Sequence, residues 1–405
     1  MLQEIRTIQQ FYALMKATWK VRRRQVARIM RGKSPGIQDC ERLAAHLDAL
    51  RAIPRRDGRF ELTTGRIAGG GALYLELDYE IGELQKDLIF LRQGEEALLA
   101  HLQRLHSGFQ DQLAAAIHFC AGMQPESGCL ISDRDGTVNN YCGRYLSSVQ
   151  SSYNAVFLCR FAARMVRHAV ILSSAPLSGG GLEELTVSPA GWLVLAGSKG
   201  REYLDEKARR GALAIEPQQQ RQLDRLNRRL AGLLQQPRYE LFALIGSGLQ
   251  FKFGQTTVAR QDIYGSIPAE ESERFAELIL DLIREIDPDG RCFRSEDTGK
   301  DIEIILTLPD GSGFRDFDKG DGIRFLDSEL SLHLDRGGNL VCGDTASDIP
   351  MITAAAACSP DLWTIFVSED AVLKEAVRHA CPRAHFVSQP DILVSVFNAL
   401  AQDGK

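Results

Sequence analysis

Two carboxylates one residue apart, Asp133 and Asp135, stand in Ile131-Ser132-Asp133-Arg134-Asp135-Gly136-Thr137, just after the apolar Cys129-Leu130-Ile131. Like charges that close repel and raise each other's pKa. A bound cation is the first suspect for what makes the spacing worth keeping. Four further polar residues follow apolar bursts or precede a helix. Ser173 follows Ala169-Val170-Ile171-Leu172, and Lys319 stands in Phe317-Asp318-Lys319-Gly320-Asp321-Gly322. Asp344 and Asp348 stand in Gly343-Asp344-Thr345-Ala346-Ser347-Asp348, after Leu340-Val341-Cys342.

Such groups need elements to hold them. From about residue 115 apolar bursts alternate with helical stretches, the pattern of a parallel α/β sheet whose function gathers at the carboxyl ends of its strands. Residues 240–310 differ, with strand-like runs at Leu241 to Ile245, Leu249 to Phe253, Thr256 to Val258 and Ile302 to Leu306 around a helix over 269–286. That predicts an α+β insertion. The first 110 residues read as helix. Leu73, Leu77, Ile81, Leu84, Leu88, Leu91, Leu98, Leu102 and Leu105 step mostly by threes and fours, a seam of coiled-coil or bundle type. An earlier helix carries Ile5 to Ile29, a second covers 38–52, and Pro54 to Gly71, with Gly69-Gly70-Gly71, is a connecting loop. The expected division is a helical interaction domain over 1–110, a core from 111–205 and 310–405, and a cap over 206–309.

The bulk properties exclude some classes. The chain has 405 residues, 44% apolar and 25% charged, with a net charge of −5, so nothing global points to nucleic acid. No apolar run reaches the length of about 18 residues that a spanning helix needs, and Met1-Leu2-Gln3-Glu4-Ile5 lacks the layout of a secretory signal. Nine scattered cysteines without a CxxC pair fit reduced thiols in the cytoplasm better than a disulfide framework.

Asp133-Arg134-Asp135-Gly136-Thr137, the strand-end Ser173, Lys319-Gly320 and the Gly343 to Asp348 run, in that order, resemble the haloacid dehalogenase superfamily of phosphohydrolases. The resemblance covers residues 115 to 400. It implies a Rossmann-like parallel core with an inserted cap, and it assigns roles. Asp133 would attack phosphorus and form an aspartyl-phosphate. Mg²⁺, which takes hard oxygen ligands, would be held by Asp133, Asp344 and the Asp135 backbone carbonyl, with Asp348 a ligand or a support for one. The Asp135 side chain would protonate the leaving oxygen and then deprotonate water. Ser173, or the adjacent Ser174, and Lys319 would engage phosphoryl oxygens.

The insertion resembles the lid of trehalose-6-phosphate phosphatases. Members carry a Glu-x-Lys strand, an Arg eight residues beyond the Lys, and a later Glu. Here Gln250-Phe251-Lys252, Arg260 and Glu303 fall at corresponding places and would read sugar hydroxyls. Ala196-Gly197-Ser198-Lys199-Gly200 is similar to the family's turn after a core strand, and the helical N-terminal part with Asn139 to Tyr145 is similar to the nematode type. Departures are Gln250 for Glu, Val258 where many have His, Ser173-Ser174-Ala175 for Ser-Gly-Arg, and a longer link through Pro309 to Gly313. The resemblance implies hydrolysis of trehalose 6-phosphate. The alternatives are another sugar-phosphate phosphatase, a phosphomannomutase-like phosphotransferase, and a scaffold with a silent core. The basic helix around Arg22, Arg23 and Arg24 and the Leu73 to Leu105 face are candidates for self-association or partner binding.

Overall fold

The computed structural model describes residues 4–64, 72–123, 128–310 and 313–403. Helix α1 (Ile8–Met30) starts from a capping box in which Thr7 and Gln10 bond each other's backbone N–H, satisfying two otherwise orphaned donors. Then come α2 (Ile37–Arg51), a small antiparallel sheet of β1 (Arg55–Arg56), β2 (Arg59–Thr63) and β3 (Ala72–Leu75), and helices α3 (Asp78–Gln93), α4 (Glu95–Leu105) and α5 (Phe109–Cys120). The expected single seam helix is therefore corrected twice. Leu73 lies in a strand, and Gly94, at φ 93°, breaks the remainder into α3 and α4. The expected loop after Pro54 contains two strands, and Gly69-Gly70-Gly71 lies outside the described residues.

The α/β core is an eight-stranded sheet. Its strands are β4 (Cys129–Ser132), β5 (His168–Leu172), β6 (Val194–Gly197), β7 (Glu202–Leu204), β8 (Arg210–Ala212), β15 (Asn339–Gly343), β16 (Leu362–Val367) and β17 (Ala384–Val387), in the order β17-β16-β15-β4-β5-β6-β7-β8. The pairs from β17 to β6 are parallel, and β7 and β8 add an antiparallel edge. The expected cap boundary at 205 falls between β7 and β8, which pair, so the core runs past it. Strand order reverses between β4 and β15, and a crevice opens at such a switch point outside the carboxyl ends.

Alternation along the strands divides the core in two. Ile131, Val170, Leu172, Val194 and Val341 pack beneath α10 (Lys319–Leu330), α11 (Ile349–Cys358) and α12 (Ala371–Ala380). Leu130, Ala169, Ile171, Leu195 and Leu340 face α6 (Ser152–Arg164) and α13 (Pro390–Asp403). That second cluster runs on without a break into Phe11, Met15, Leu84, Leu98 and Leu102 of the N-terminal helices. Most of the leucine seam is thus buried inside the chain, with Ile81 and Leu88 half-buried and Leu105 exposed. Arg22, expected on an outward basic face, is fully buried and pairs with Asp87 at 2.6 Å. Arg23 and Arg24 are exposed.

The cap follows a short α7 (Leu182–Leu185) and the core edge. Helices α8 (Pro217–Leu234) and α9 (Ala269–Ile286) cover one face of an antiparallel sheet of β9 (Leu249–Lys252), β10 (Gln255–Ala259), β11 (Phe293–Asp297) and β12 (Asp301–Leu306), ordered β11-β12-β10-β9. Ile302, Ile304 and Leu306 meet Leu223, Leu226 and Leu230 in the cluster under the helices. The run Leu241 to Ile245 is not a strand: Glu240–Ala243 forms a 3-10 turn. A hairpin of β13 (Leu308–Asp310) and β14 (Gly313–Arg315) returns the chain to α10, and Gly311 and Ser312 of the long link lie outside the described residues.

Candidate active site

Strands β4 and β15 run side by side with Cys342 opposite Ser132, so Asp133 and Asp344 leave the sheet together at the switch point. The Asp133 N–H donates to the Cys342 carbonyl at 3.0 Å, which extends the ladder by one bond and fixes the backbone of that residue. The chain then turns. Gly136 has φ +90°, and a Cβ there would stand 2.2 Å from Asp344 Oδ2. Only glycine permits both the dihedral and the approach. Thr137 Oγ1 donates to Asp344 Oδ1 at 2.8 Å and lies 3.4 Å from Asp133 Oδ2.

Lys319 opens α10. An ammonium at a helix N-terminus opposes the helix dipole, and two features compensate. Asp318 and Asp321 form a capping box, and Lys319 Nζ donates to Asp133 Oδ1 and Asp348 Oδ1, each at 2.5 Å. Gly322 lets α10 press onto the turn after β6, since a Cβ there would lie 2.0 Å from the Lys199 carbonyl. Asp348 spends its other oxygen on its own loop, accepting the N–H groups of Asp344 at 3.1 Å and Thr345 at 3.0 Å.

One carboxylate oxygen from each of Asp133, Asp344 and Asp348 falls within 4.8 Å of the others. Burial, with Asp348 and Asp135 nearby, pushes Asp133 up to about 6 against the pull of Lys319. Burial and the charges of Asp133 and Asp348 push Asp344 up to about 8. Burial alone would lower Lys319, but Asp133 and Asp348 outweigh it and hold the ammonium above the ordinary lysine value. Three carboxylates around one ammonium leave an excess of negative charge that either protons or a cation can balance. An all-oxygen donor set suits Mg²⁺.

Asp135 stands apart from that cluster. Its Oδ1 accepts from Arg134 at 2.5 Å and Ser148 at 2.7 Å, with Asn139 at 3.4 Å. Its Oδ2 has no donor among the described residues. The side chain is 26% exposed, and it lines a cavity with Tyr141, Arg144, Ser148, Ser247 and Gln250. Ser173 is buried at the end of β5, the neighbour of β4. Its N–H bonds the Ala196 carbonyl and its Oγ accepts from the Ala175 N–H at 3.1 Å. Ser174 beside it is half-buried.

The structure brings three of the four expected cap residues onto one sheet face. Thr257 pairs with both Gln250 and Glu303, and Gln255 pairs with Lys252. Gln250, Lys252 and Glu303 therefore share the face opposite α8 and α9, and Gln250 reaches the Asp135 cavity. Lys252 is buried, with no hydrogen-bond partner among the described residues, and burial lowers its pKa. Arg260 is not brought together with these three. It continues the opposite face and is tied to Ser272 of α9 at 3.0 Å and to Asp297, away from Gln250 and Lys252.

Sequence reasoning passed over Arg134, Asn139 and Ser148, which hold Asp135. Arg134, lying between the two aspartates, was the available signal; Ser148 gave none, because its approach depends on a loop closing over 139–148.

A family model described as trehalose-6-phosphate phosphatase, C-terminal, matches residues 130–393. The chain belongs to the trehalose-6-phosphate phosphatase family. A second model, the N-terminal helical bundle domain of trehalose-6-phosphate phosphatase, matches residues 7–106. Over 423 residues the chain is 29% identical to alpha,alpha-trehalose-phosphate synthase [UDP-forming] 2 of Aphelenchoides avenae, covering 96% of this chain and 31% of that protein. It is 32% identical over 281 residues to trehalose-phosphatase of Brugia malayi, covering 67% of this chain and 56% of the relative. The chain thus spans about a third of the length of the first of these relatives. The crystal structure of a trehalose-6-phosphate phosphatase related protein aligns with 68% of this chain and 98% of its own, at 14% identity and a TM-score of 0.47.

Proposed function

We infer that this chain hydrolyses trehalose 6-phosphate to trehalose and phosphate. The observation that carries the reading is the meeting of Asp133, Asp344 and Asp348 within 4.8 Å beside the Lys319 ammonium, at the end of the switch-point strands of a chain in this family.

Asp133 is the nucleophile. It attacks phosphorus, the bond to the sugar oxygen breaks, and an aspartyl-phosphate remains. Asp135 gives its proton to the departing oxygen through Oδ2, the oxygen with no donor among the described residues. It then takes a proton from the water that attacks the aspartyl-phosphate, which frees phosphate and restores Asp133. Lys319 and Ser173 neutralise and bond phosphoryl oxygens. Asp133 and Asp344, with the Asp135 carbonyl and the support of Asp348, would hold Mg²⁺, whose contribution is charge neutralisation at the phosphate. Gln250, Lys252 and Glu303 read the sugar, and the buried Lys252 ammonium, with no hydrogen-bond partner among the described residues, suits hydroxyl or anionic oxygen. Arg260 supports the cap, not the sugar.

No described helix is long and apolar enough to cross a membrane. The nine cysteines are all free, which supports a cytosolic setting. With most of the leucine seam occupied inside the chain, the exposed Arg23 on α1 is a candidate for partner binding, whereas Arg24 is engaged by Asp39 at 2.8 Å. Phosphate release from a panel of sugar phosphates with Mg²⁺ tests the function. Fastest release from trehalose 6-phosphate is expected. Transfer of the phosphoryl group between sugar positions without free phosphate would replace hydrolysis by a mutase reaction.

A further inference from the structure

One face of α3 is polar and buried. Tyr79, Glu80, Glu83, Lys86 and Asp87 fall at the spacing that aligns residues on a helix, and the last four are at most 5% exposed. A helix turning charges inward needs partners for them. Lys86 pairs with Asp391 of α13 and Asp87 with Arg22 of α1, and the three carboxylates also reach the core segment after the Asp133 turn. The Glu80 carboxylate accepts from Arg144 at 3.0 Å and Ser147 at 2.6 Å. Glu83 accepts from Asn140 at 2.9 Å. Asp87 accepts the N–H of Ser152 at 2.6 Å, where α6 begins. The N-terminal helices therefore hold the loop that carries the partners of Asp135.

Tyr79 reaches furthest toward the chemistry. Its hydroxyl donates to the Val149 carbonyl at 3.1 Å, so it is an acceptor for the Asn139 amide, 3.0 Å away. That contact orients the amide, whose second N–H lies 3.2 Å from Ser148 Oγ. Ser148 in turn commits its hydroxyl hydrogen to Asp135 Oδ1 at 2.7 Å. A consistent donor-to-acceptor assignment runs through these groups, with the Asn139 amide also 3.1 Å from the Asn140 carbonyl and the Tyr79 hydroxyl 3.4 Å from Asn139 Oδ1. It begins on a residue outside the catalytic core and ends on the carboxylate oxygen opposite the one that handles the proton.

We propose that Tyr79 is a positioning residue for Asp135, acting through Asn139 and Ser148, so that the N-terminal helices complete the acid–base apparatus. The inference rests on the acid–base reading of Asp135 given above. It assigns no contact between Tyr79 and substrate.

The test is Tyr79→Phe in the full chain, which removes one hydroxyl and keeps the ring. Loss of a supporting hydrogen bond to a catalytic group is expected to cost about tenfold in kcat on trehalose 6-phosphate, with KM changed less than about twofold. In single turnovers, release of trehalose should slow by a similar factor, while release of p-nitrophenolate, which departs without a proton, slows much less. Tyr79→Leu removes the same hydroxyl in a different frame and should give the same split if the phenylalanine variant folds poorly. An equal loss on both leaving groups, or a KM effect alone, would reduce Tyr79 to a packing residue and overturn the proposal. Asp135→Asn under the same assay separates the two readings. If it shows the leaving-group split and the Tyr79 variants do not, this inference falls alone; if it shows none, the acid–base reading falls with it.

Discussion

The Lys319 ammonium lies 2.5 Å from one Asp133 carboxylate oxygen, and the same nitrogen holds Asp348 at the same distance. One cation thus ties the end of β4 to the loop after β15. The Asp133 carboxylate is held by a residue 186 positions away in the chain.

Asp133→Asn keeps the shape of the side chain and removes its charge. Lys319 retains Asp348, so the fold should survive. Phosphate release should fall by at least about 10³-fold, as expected when the group that forms the covalent bond is lost. Steady-state assays paired with thermal melts check this, and near-normal turnover from a folded, Mg²⁺-saturated variant would refute the nucleophile.

The metal-free protein should lose stability as pH rises. In the folded chain burial and the neighbouring carboxylates push Asp133 up to about 6 and Asp344 up to about 8, both above the ordinary carboxylate value of 3.8. Between pH 4 and 8 the folded state therefore holds more protons than the unfolded chain, and unfolding becomes easier with each step up in pH. The stabilising protonation is complete below the unfolded value and is gone above about pH 8. Melting temperatures in chelator should fall across this interval. Mg²⁺ should flatten the curve, and Asp344→Asn should flatten it without metal. A chelated wild-type curve that rises from pH 5 to 8 in parallel with the variant's would show that the carboxylate cluster is not the cause.

Lys252→Ala removes a buried cation from the cap face shared by Gln250 and Glu303. Turnover on trehalose 6-phosphate should drop by roughly tenfold or more, because remote binding energy positions the phosphate, while p-nitrophenyl phosphate should be affected little. Arg260→Ala, whose partners are Ser272 and Asp297, should lower cap stability with no such split. Equal losses on both substrates from Lys252→Ala would place that residue in the fold, not in recognition.

Asp87→Ala strands Arg22, which is fully buried and also bonds the Val149 carbonyl. Breaking one side of a buried pair costs about 3–5 kcal/mol, and the Ser152 N–H loses its acceptor as well. A lowered denaturation midpoint for the whole chain is expected, in one cooperative transition. Two separated transitions would show that the helices and the core unfold independently.

The sequence by itself located the candidate reactive groups because they come from short motifs whose geometry is local. Asp133 and Asp135 across a turn that demands Gly136, Lys319 in the first turn of a capped helix, and Asp344 and Asp348 around one loop were each readable in their own neighbourhood. The parallel core was legible from apolar bursts at strand spacing, and the cap strands at 249–252 and 301–306 from theirs. What the sequence left undecided were the relations between segments that only packing brings together. A leucine seam looks the same whether it meets a second copy, a partner, or, as here, α6 and the rest of the same core. Arg22 in a basic run looks solvated until a helix 65 residues further on supplies Asp87. Arg260 has the right spacing for the sugar face, yet strand parity and Ser272 turn it to the other side. Tyr79 carries no signal at all in its own stretch, because hydrogen bonding to Asn139 is a property of two surfaces meeting, and periodicity records only which side of a helix is buried, not what it is buried against.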